Sequence, residues 1–156
     1  MATNTFYNEV LTDHNIHPAH KHKMENPSYS LEGVNPSCGD DIVLYLNVSE
    51  AGVIEDASFD GDGCAISQAS ADMMCDLIIG KEKNEALRLS EIFLRMIKGK
   101  ITEEEHEELE EAGILEDISH MPARVKCAVL GWHTMDEIFK DAAEGKVDQY
   151  SGKFEQ

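Results

Sequence analysis

The sequence predicts an α+β fold, a three-stranded antiparallel sheet packed with about five helices. Two observations carry this expectation. Apolar residues recur at every second position through 29–60, and beyond Gly61-Asp62-Gly63 they recur at helical spacing. Strands grouped together with most helices after them is the pattern of an α+β domain, not of a parallel βαβ array. The 156 residues suit one domain whose core needs no disulfides.

Residues 5–14 read as a short amphipathic helix with Phe6, Tyr7, Val10 and Leu11 on its inner side. A breaker-rich connection follows, Asn15-Ile16-His17-Pro18-Ala19-His20-Lys21-His22-Lys23. With His14 it holds four histidines, but their spacing matches neither a finger nor a helical pair, so it reads as a solvated loop. Residues 29–34 alternate Tyr29, Leu31 and Gly33 with Ser30, Glu32 and Val34, a first strand. Residues 41–49 carry Ile42, Leu44, Leu46 and Val48 on one face. Glu50-Ala51-Gly52 turns the chain into a third strand over 53–60, completing a hairpin.

From 65 to 79, Ile66, Ala69, Met73, Met74 and Leu77 form a helical stripe that Gly80 ends. Residues 84–97 make a second long helix, with Leu87, Ile92, Phe93, Met96 and Ile97 inside. Thr102-Glu103-Glu104-Glu105 is a capping box opening an acidic, exterior helix over 103–112. Pro122 opens the last helix, whose inner face carries Val125, Val129, Trp132 and Phe139. Residues 145–156 are polar and turn-like, so the domain is expected to span 1–144 and to end in a mobile tail.

Acidic residues number 31 against 13 Lys plus Arg, a formal charge of −18. That field repels nucleic acid and anionic membrane surfaces, and neither is expected as a partner. The sequence shows no transmembrane run and no signal-peptide pattern, so the expected location is the cytoplasm. Four cysteines in a reducing compartment are thiols or metal ligands rather than a disulfide framework.

Three of the four stand at element ends. Asn35-Pro36-Ser37-Cys38-Gly39-Asp40 puts a thiol and a carboxylate two residues apart around a glycine, able to face one small ion. Cys64, in Gly61-Asp62-Gly63-Cys64-Ala65-Ile66-Ser67, falls at a helix N-terminus, where the dipole favours thiolate. Cys127, in Arg124-Val125-Lys126-Cys127, has two cationic neighbours expected to lower its pKa. Cys75 differs, because Met73-Met74-Cys75-Asp76-Leu77-Ile78 is an apolar core segment. Cys38, Asp40, Cys64 and Cys127 thus form a four-donor set if the fold gathers them, and thiolates suit zinc and iron alike.

These three cysteine segments, in this order, closely resemble the SufU branch of the IscU/NifU-N family of iron–sulfur cluster assembly proteins. Tyr7, Asp13-His14 and Pro18 are similar to the family's N-terminal helix and turn, and the resemblance covers residues 5–143. Lys126 stands where the scaffold branch has a histidine. Met121-Pro122-Ala123-Arg124-Val125-Lys126 replaces that branch's Leu-Pro-Pro-Val-Lys chaperone motif, and 99–120 resembles the SufU insertion. The resemblance implies a Zn2+ site of Cys38, Asp40, Cys64 and Cys127. Cys38 would accept persulfide sulfur from a SufS-type PLP-dependent cysteine desulfurase and pass it toward a downstream Fe–S scaffold. Arg124 is then a candidate to stabilise the thiolate or persulfide, and a surface cation otherwise. The alternative implied activity is an IscU-like scaffold on which a [2Fe–2S] cluster is built.

Overall fold

The computed structural model describes residues 9–143 and 150–156. The elements, in order, are α1 (Glu9–Ile16), β1 (Tyr29–Asn35), β2 (Asp40–Val48), β3 (Ile54–Asp62), α2 (Ala65–Ile78) and α3 (Lys83–Ile97). After these come α4 (Glu103–Glu108), a 3-10 segment (Glu110–His120), α5 (Pro122–Ala143) and β4 (Tyr150–Glu155). The α+β expectation holds. In α1, Leu11 is buried and Val10 packs against the core, whereas Phe6 and Tyr7 lie outside the described residues.

The sheet departs from the expectation of three antiparallel strands. It has four, in the order β3-β2-β1-β4, and β4 runs parallel to β1. Residues 150–155, expected within a turn-like tail, therefore extend the sheet beside Tyr29–Val34. The reason the pattern hid it is physical. The edge strand does alternate Tyr150, Gly152 and Phe154 with Ser151, Lys153 and Glu155, but six residues between polar flanks carry only a short signal, and the strand is held by backbone pairing to β1 with Phe154 packed on the core.

The acidic helix expected over 103–112 is also corrected. The capping box between Thr102 and Glu105 is present, but α4 ends at Glu108 and the chain tightens into the 3-10 segment. Leu109, Ala112, Leu115 and Ile118 are all buried, a spacing of three that suits three residues per turn. Glu110, at φ +52°, marks the change of winding.

α2 forms the centre of the helical layer, and every residue in it except Ala65 and Asp76 is buried. A one-sided stripe would not predict this, and the polar face is inside because Ser67, Ser70 and Asp72 are hydrogen-bonded there, whereas the buried side-chain amide of Gln68 has no hydrogen-bond partner among the described residues. Ser70 Oγ donates to Ala128 O of α5 at 2.6 Å and accepts from Trp132 Nε1 at 3.0 Å. Trp132 in turn stacks on Phe93 of α3, with centroids 4.1 Å apart, locking three helices together.

The histidine segment is largely exposed, His17 and His22 included, as expected of a solvated loop, but Asp72 anchors it at His14 and His20. One of its oxygens meets His14 Nδ1 at 2.6 Å and the other accepts from the His20 N–H at 2.8 Å. His14 Nε2 reaches Glu111 Oε1 at 2.5 Å, so one imidazole joins α1, α2 and the 3-10 segment. Burial disfavours the charged ring, but the hydrogen bonds and negative charges of Asp72 and Glu111 outweigh it, and the pKa is raised above 6.5. A raised folded-state pKa contributes stability that is full below 6.5 and is lost as the pH rises through the folded value. The melting temperature is expected to fall across that window, and His14→Gln should flatten the fall. A pH–melting profile unchanged by the substitution would remove the imidazolium from the account.

Candidate metal centre

The site lies where the β1–β2 turn, the end of β3, the start of α2 and the first turns of α5 converge. Gly39 adopts φ +73°, a left-handed conformation that lets the turn bring residue 38 back beside residue 40. Donor atoms of Cys38, Asp40 and Cys127 all lie within 4.8 Å of one another. Cys38 is exposed, Asp40 and Cys127 are buried, and the Cys38 sulfur stands 3.8 Å from Ala123 O.

Cys64 adjoins this trio without joining its mutual spacing. Its backbone N–H donates to Asp40 Oδ1 at 2.9 Å, which fixes its main chain at the site. Its sulfur points to the helix terminus, accepting from Ser67 N–H at 3.5 Å as the N-cap of α2. A small cavity of about 60 Å³ opens between Cys64, Ala65, Ile66 and Arg124. Cys75 is fully buried, and burial pushes its thiol well up, reinforced by the charges of Asp72, Asp56 and Asp76.

The Cys127 thiol contradicts the expectation from its cationic neighbours. Burial pushes its pKa up, and hydrogen bonding with Asp40, Cys38 and Cys64 adds to the rise. Lys126 is exposed and turned outward. Arg124 does face the cluster. Its hydrogen bond to Cys127, joined by the charges of Cys64, Cys127 and Cys38, raises the guanidinium pKa.

Whether a divalent metal fits can be judged from Asp40. Its carboxylate is fully buried, and its partners are all neutral: Asn35 Nδ2 at 3.1 Å, the Cys64 N–H and Ser67 Oγ at 3.2 Å. A buried carboxylate flanked by thiols and lacking an ion-paired side chain calls for a cation among those donors. Sulfurs bound at about 2.3 Å in a tetrahedron stand roughly 3.8 Å apart, compatible with the observed grouping. The residues present therefore fit zinc.

Sequence reasoning missed Asn35 and Ser67. Asn35 reads as a turn residue, yet it is fully buried, and its amide spans from Asp40 to Cys127 Sγ, 3.8 Å away. Only the pairing of Asn35 with Asp40 across the β1–β2 register reveals that role. Gly63 leaves room for this arrangement. A Cβ there would sit 2.4 Å from Ser67 Oγ and 2.8 Å from Asp40 Oδ1. Gly63→Ala should cost about 1–3 kcal/mol through forced repacking, and a denaturant midpoint equal to wild type would contradict this crowding.

The chain matches the family model described as NifU-like N terminal domain over residues 6–128. An iron–sulfur cluster assembly scaffold protein IscU from Thermotoga maritima is 40% identical over 140 residues, 90% of this chain and 96% of the relative. A zinc-dependent sulfurtransferase SufU from Bacillus subtilis is 39% identical over 133 residues, 85% of this chain and 88% of the relative. A crystal structure described as an iron–sulfur cluster assembly scaffold protein for the SUF system, from Fervidobacterium islandicum, superposes with a TM-score of 0.79. It is 38% identical and covers 85% of this chain and 96% of its own.

Proposed function

The chain belongs to the NifU-like N-terminal domain family, and from that premise we propose that it is a zinc-dependent sulfur acceptor and carrier for iron–sulfur cluster assembly. One observation carries the reading: an exposed Cys38 sulfur shares a donor cluster with the buried Asp40 and Cys127. An exposed sulfur within the cluster is one that a partner's persulfide can reach, as transfer requires. The name of the Bacillus subtilis relative, a zinc-dependent sulfurtransferase, supports the same chemistry.

The residues proposed to hold zinc are Cys38, Asp40, Cys64 and Cys127, with Cys64 turning about its Cα–Cβ bond from its N-cap contact. Zinc bound there supplies one thing, ionised sulfur at neutral pH. The remaining chemistry belongs to the chain and to a PLP-dependent cysteine desulfurase of the SufS type. The Cys38 thiolate attacks the terminal sulfur of the desulfurase's cysteine persulfide. A new S–S bond forms as the old one breaks, and the bonding pair leaves on the desulfurase cysteine as thiolate. One persulfide replaces another, so no external oxidant or reductant is consumed. Arg124, already facing the three thiols, offers positive charge to the persulfide until a downstream scaffold takes the sulfur.

A second reading has the same cysteines assemble a [2Fe–2S] cluster, favoured by the scaffold name of the Thermotoga maritima relative, at 40% identity against 39% for the sulfurtransferase. Two measurements separate them. Zinc-loaded protein mixed with desulfurase and ³⁵S-cysteine should carry label that reductant removes. Anaerobic reconstitution with iron and sulfide should leave no visible-absorbing cluster after gel filtration. A stable cluster together with an unlabelled chain would establish the scaffold and end the carrier.

A further inference from the structure

Beside the thiol site, α3 and α5 enclose a cavity of about 430 Å³ that the sulfur chemistry does not use. Its walls are Leu94, Ile97, Val125 and Val129, and its mouth carries Lys98, Lys126, His133 and Gln156, whose side-chain amide donates to Lys126 O at 3.4 Å. No Asp or Glu lines it, in a chain with 31 acidic residues against 13 Lys plus Arg. Lys98 and Lys126 are exposed, and among the described residues neither has an ion-pair partner, whereas Arg88 and Arg95 are paired with Glu85, Glu108 and Glu105. An apolar hollow under unpaired ammonium groups is complementary to an apolar side chain next to a carboxylate.

Position indicates what brings such a group. Cys38 Sγ touches the carbonyl of Ala123, and Lys126 follows one helical turn later, about 4.5 Å along α5. A protein that delivers sulfur to Cys38 must cover the surface around it. An ordinary interface takes about 800 Å² from each partner, a disc of roughly 16 Å radius. Lys126, at the mouth of the cavity, falls inside that footprint.

We infer that this cavity is an anchor point for the sulfur-donating partner, receiving an apolar side chain flanked by an acidic one. The inference rests on the carrier reading, because that reading requires a protein to dock over Cys38. The cavity gives a strongly acidic chain a local basic foothold, so it selects partners by apolar fit and by charge together.

The test measures docking and transfer separately. Affinity for a SufS-type desulfurase is measured by calorimetry for wild type and for Lys98→Glu, with Lys83→Glu as control. Lys83 starts the helix that Lys98 caps, about 22 Å away, and the control makes the same change in net charge. Lys98→Glu is expected to weaken binding about tenfold and Lys83→Glu less than twofold, with zinc content and label transfer at saturating desulfurase unchanged. Leu94→Glu, at a half-exposed position, should reproduce the loss. Equal effects of Lys98→Glu and Lys83→Glu would reduce the basic mouth to general charge and overturn the inference. Wild type that binds but never takes label would instead overturn the carrier reading, and the Lys98 comparison would still decide the cavity. Wild type that fails to bind would overturn both.

Discussion

Cys38→Ala is expected to abolish label transfer from the desulfurase, by at least 100-fold, while leaving a folded protein that still docks. The magnitude follows from the geometry. Cys127 is buried, Cys64 caps α2 through its sulfur, and Cys75 lies in the core with its thiol held protonated by burial. Cys38 is the exposed thiol of the four. Removing it leaves the persulfide of the partner no exposed sulfur to meet, and no neighbouring hydroxyl substitutes for a thiolate in such an exchange. Folding should survive, since Cys38 is exposed and its side chain makes weak contacts, with Ala123 O and with the Cys127 thiol. The variant is assayed by persulfide label on a non-reducing gel beside its affinity for the desulfurase. Transfer within tenfold of wild type would sink the assignment of Cys38 and turn attention to Cys64, which borders the small cavity beside Arg124.

Most of the architecture was legible because burial follows regular periods. The inward residues Leu31, Ile42, Leu44, Leu46, Ala57 and Phe59 alternate in the sequence and are buried in the sheet. Pro122 and Thr102 announced their helix starts. The rest share a cause, which is stabilisation by polar or backbone groups whose partners are distant in sequence. β4 is held by pairing with β1, the His14 bridge by two carboxylates distant in sequence, and the inner polar face of α2 by α5 and Asp40. The 3-10 segment did have a signal, in residues 109, 112, 115 and 118, but three-residue spacing merges with helical spacing over so short a run.

The donor set shows the same division. Cys38, Asp40 and Cys127 could be nominated from chemistry because few residue types bind metal, and the fold does bring those three together. The tilt of the Cys64 sulfur and the raised thiol pKa of Cys127 could not, since each depends on burial and on partners from other elements.

Removing metal from the protein is expected to lower its melting temperature by about 8–16 °C. A ligand present at a thousandfold over its dissociation constant stabilises the native state by about 4 kcal/mol, and each kcal/mol moves a domain of this size by about 2–4 °C. The stabilisation is structural because the donors belong to the β1–β2 turn, the start of β2, the entry to α2 and the first turns of α5. Without a cation, Asp40 is a buried carboxylate facing only neutral donors, and its cost is borne by those junctions. Asp40→Asn should separate the two contributions. It removes the buried charge, so the metal-free variant should melt no lower than metal-free wild type, while the increment gained on adding zinc should shrink to a few degrees. Acid should act on wild type in the same direction, because thiolates and carboxylate bind metal only when deprotonated. If chelator left the melting temperature unchanged, or if Asp40→Asn lowered both forms equally, the carboxylate would be a hydrogen-bonding strut and the cation would contribute nothing to the junction.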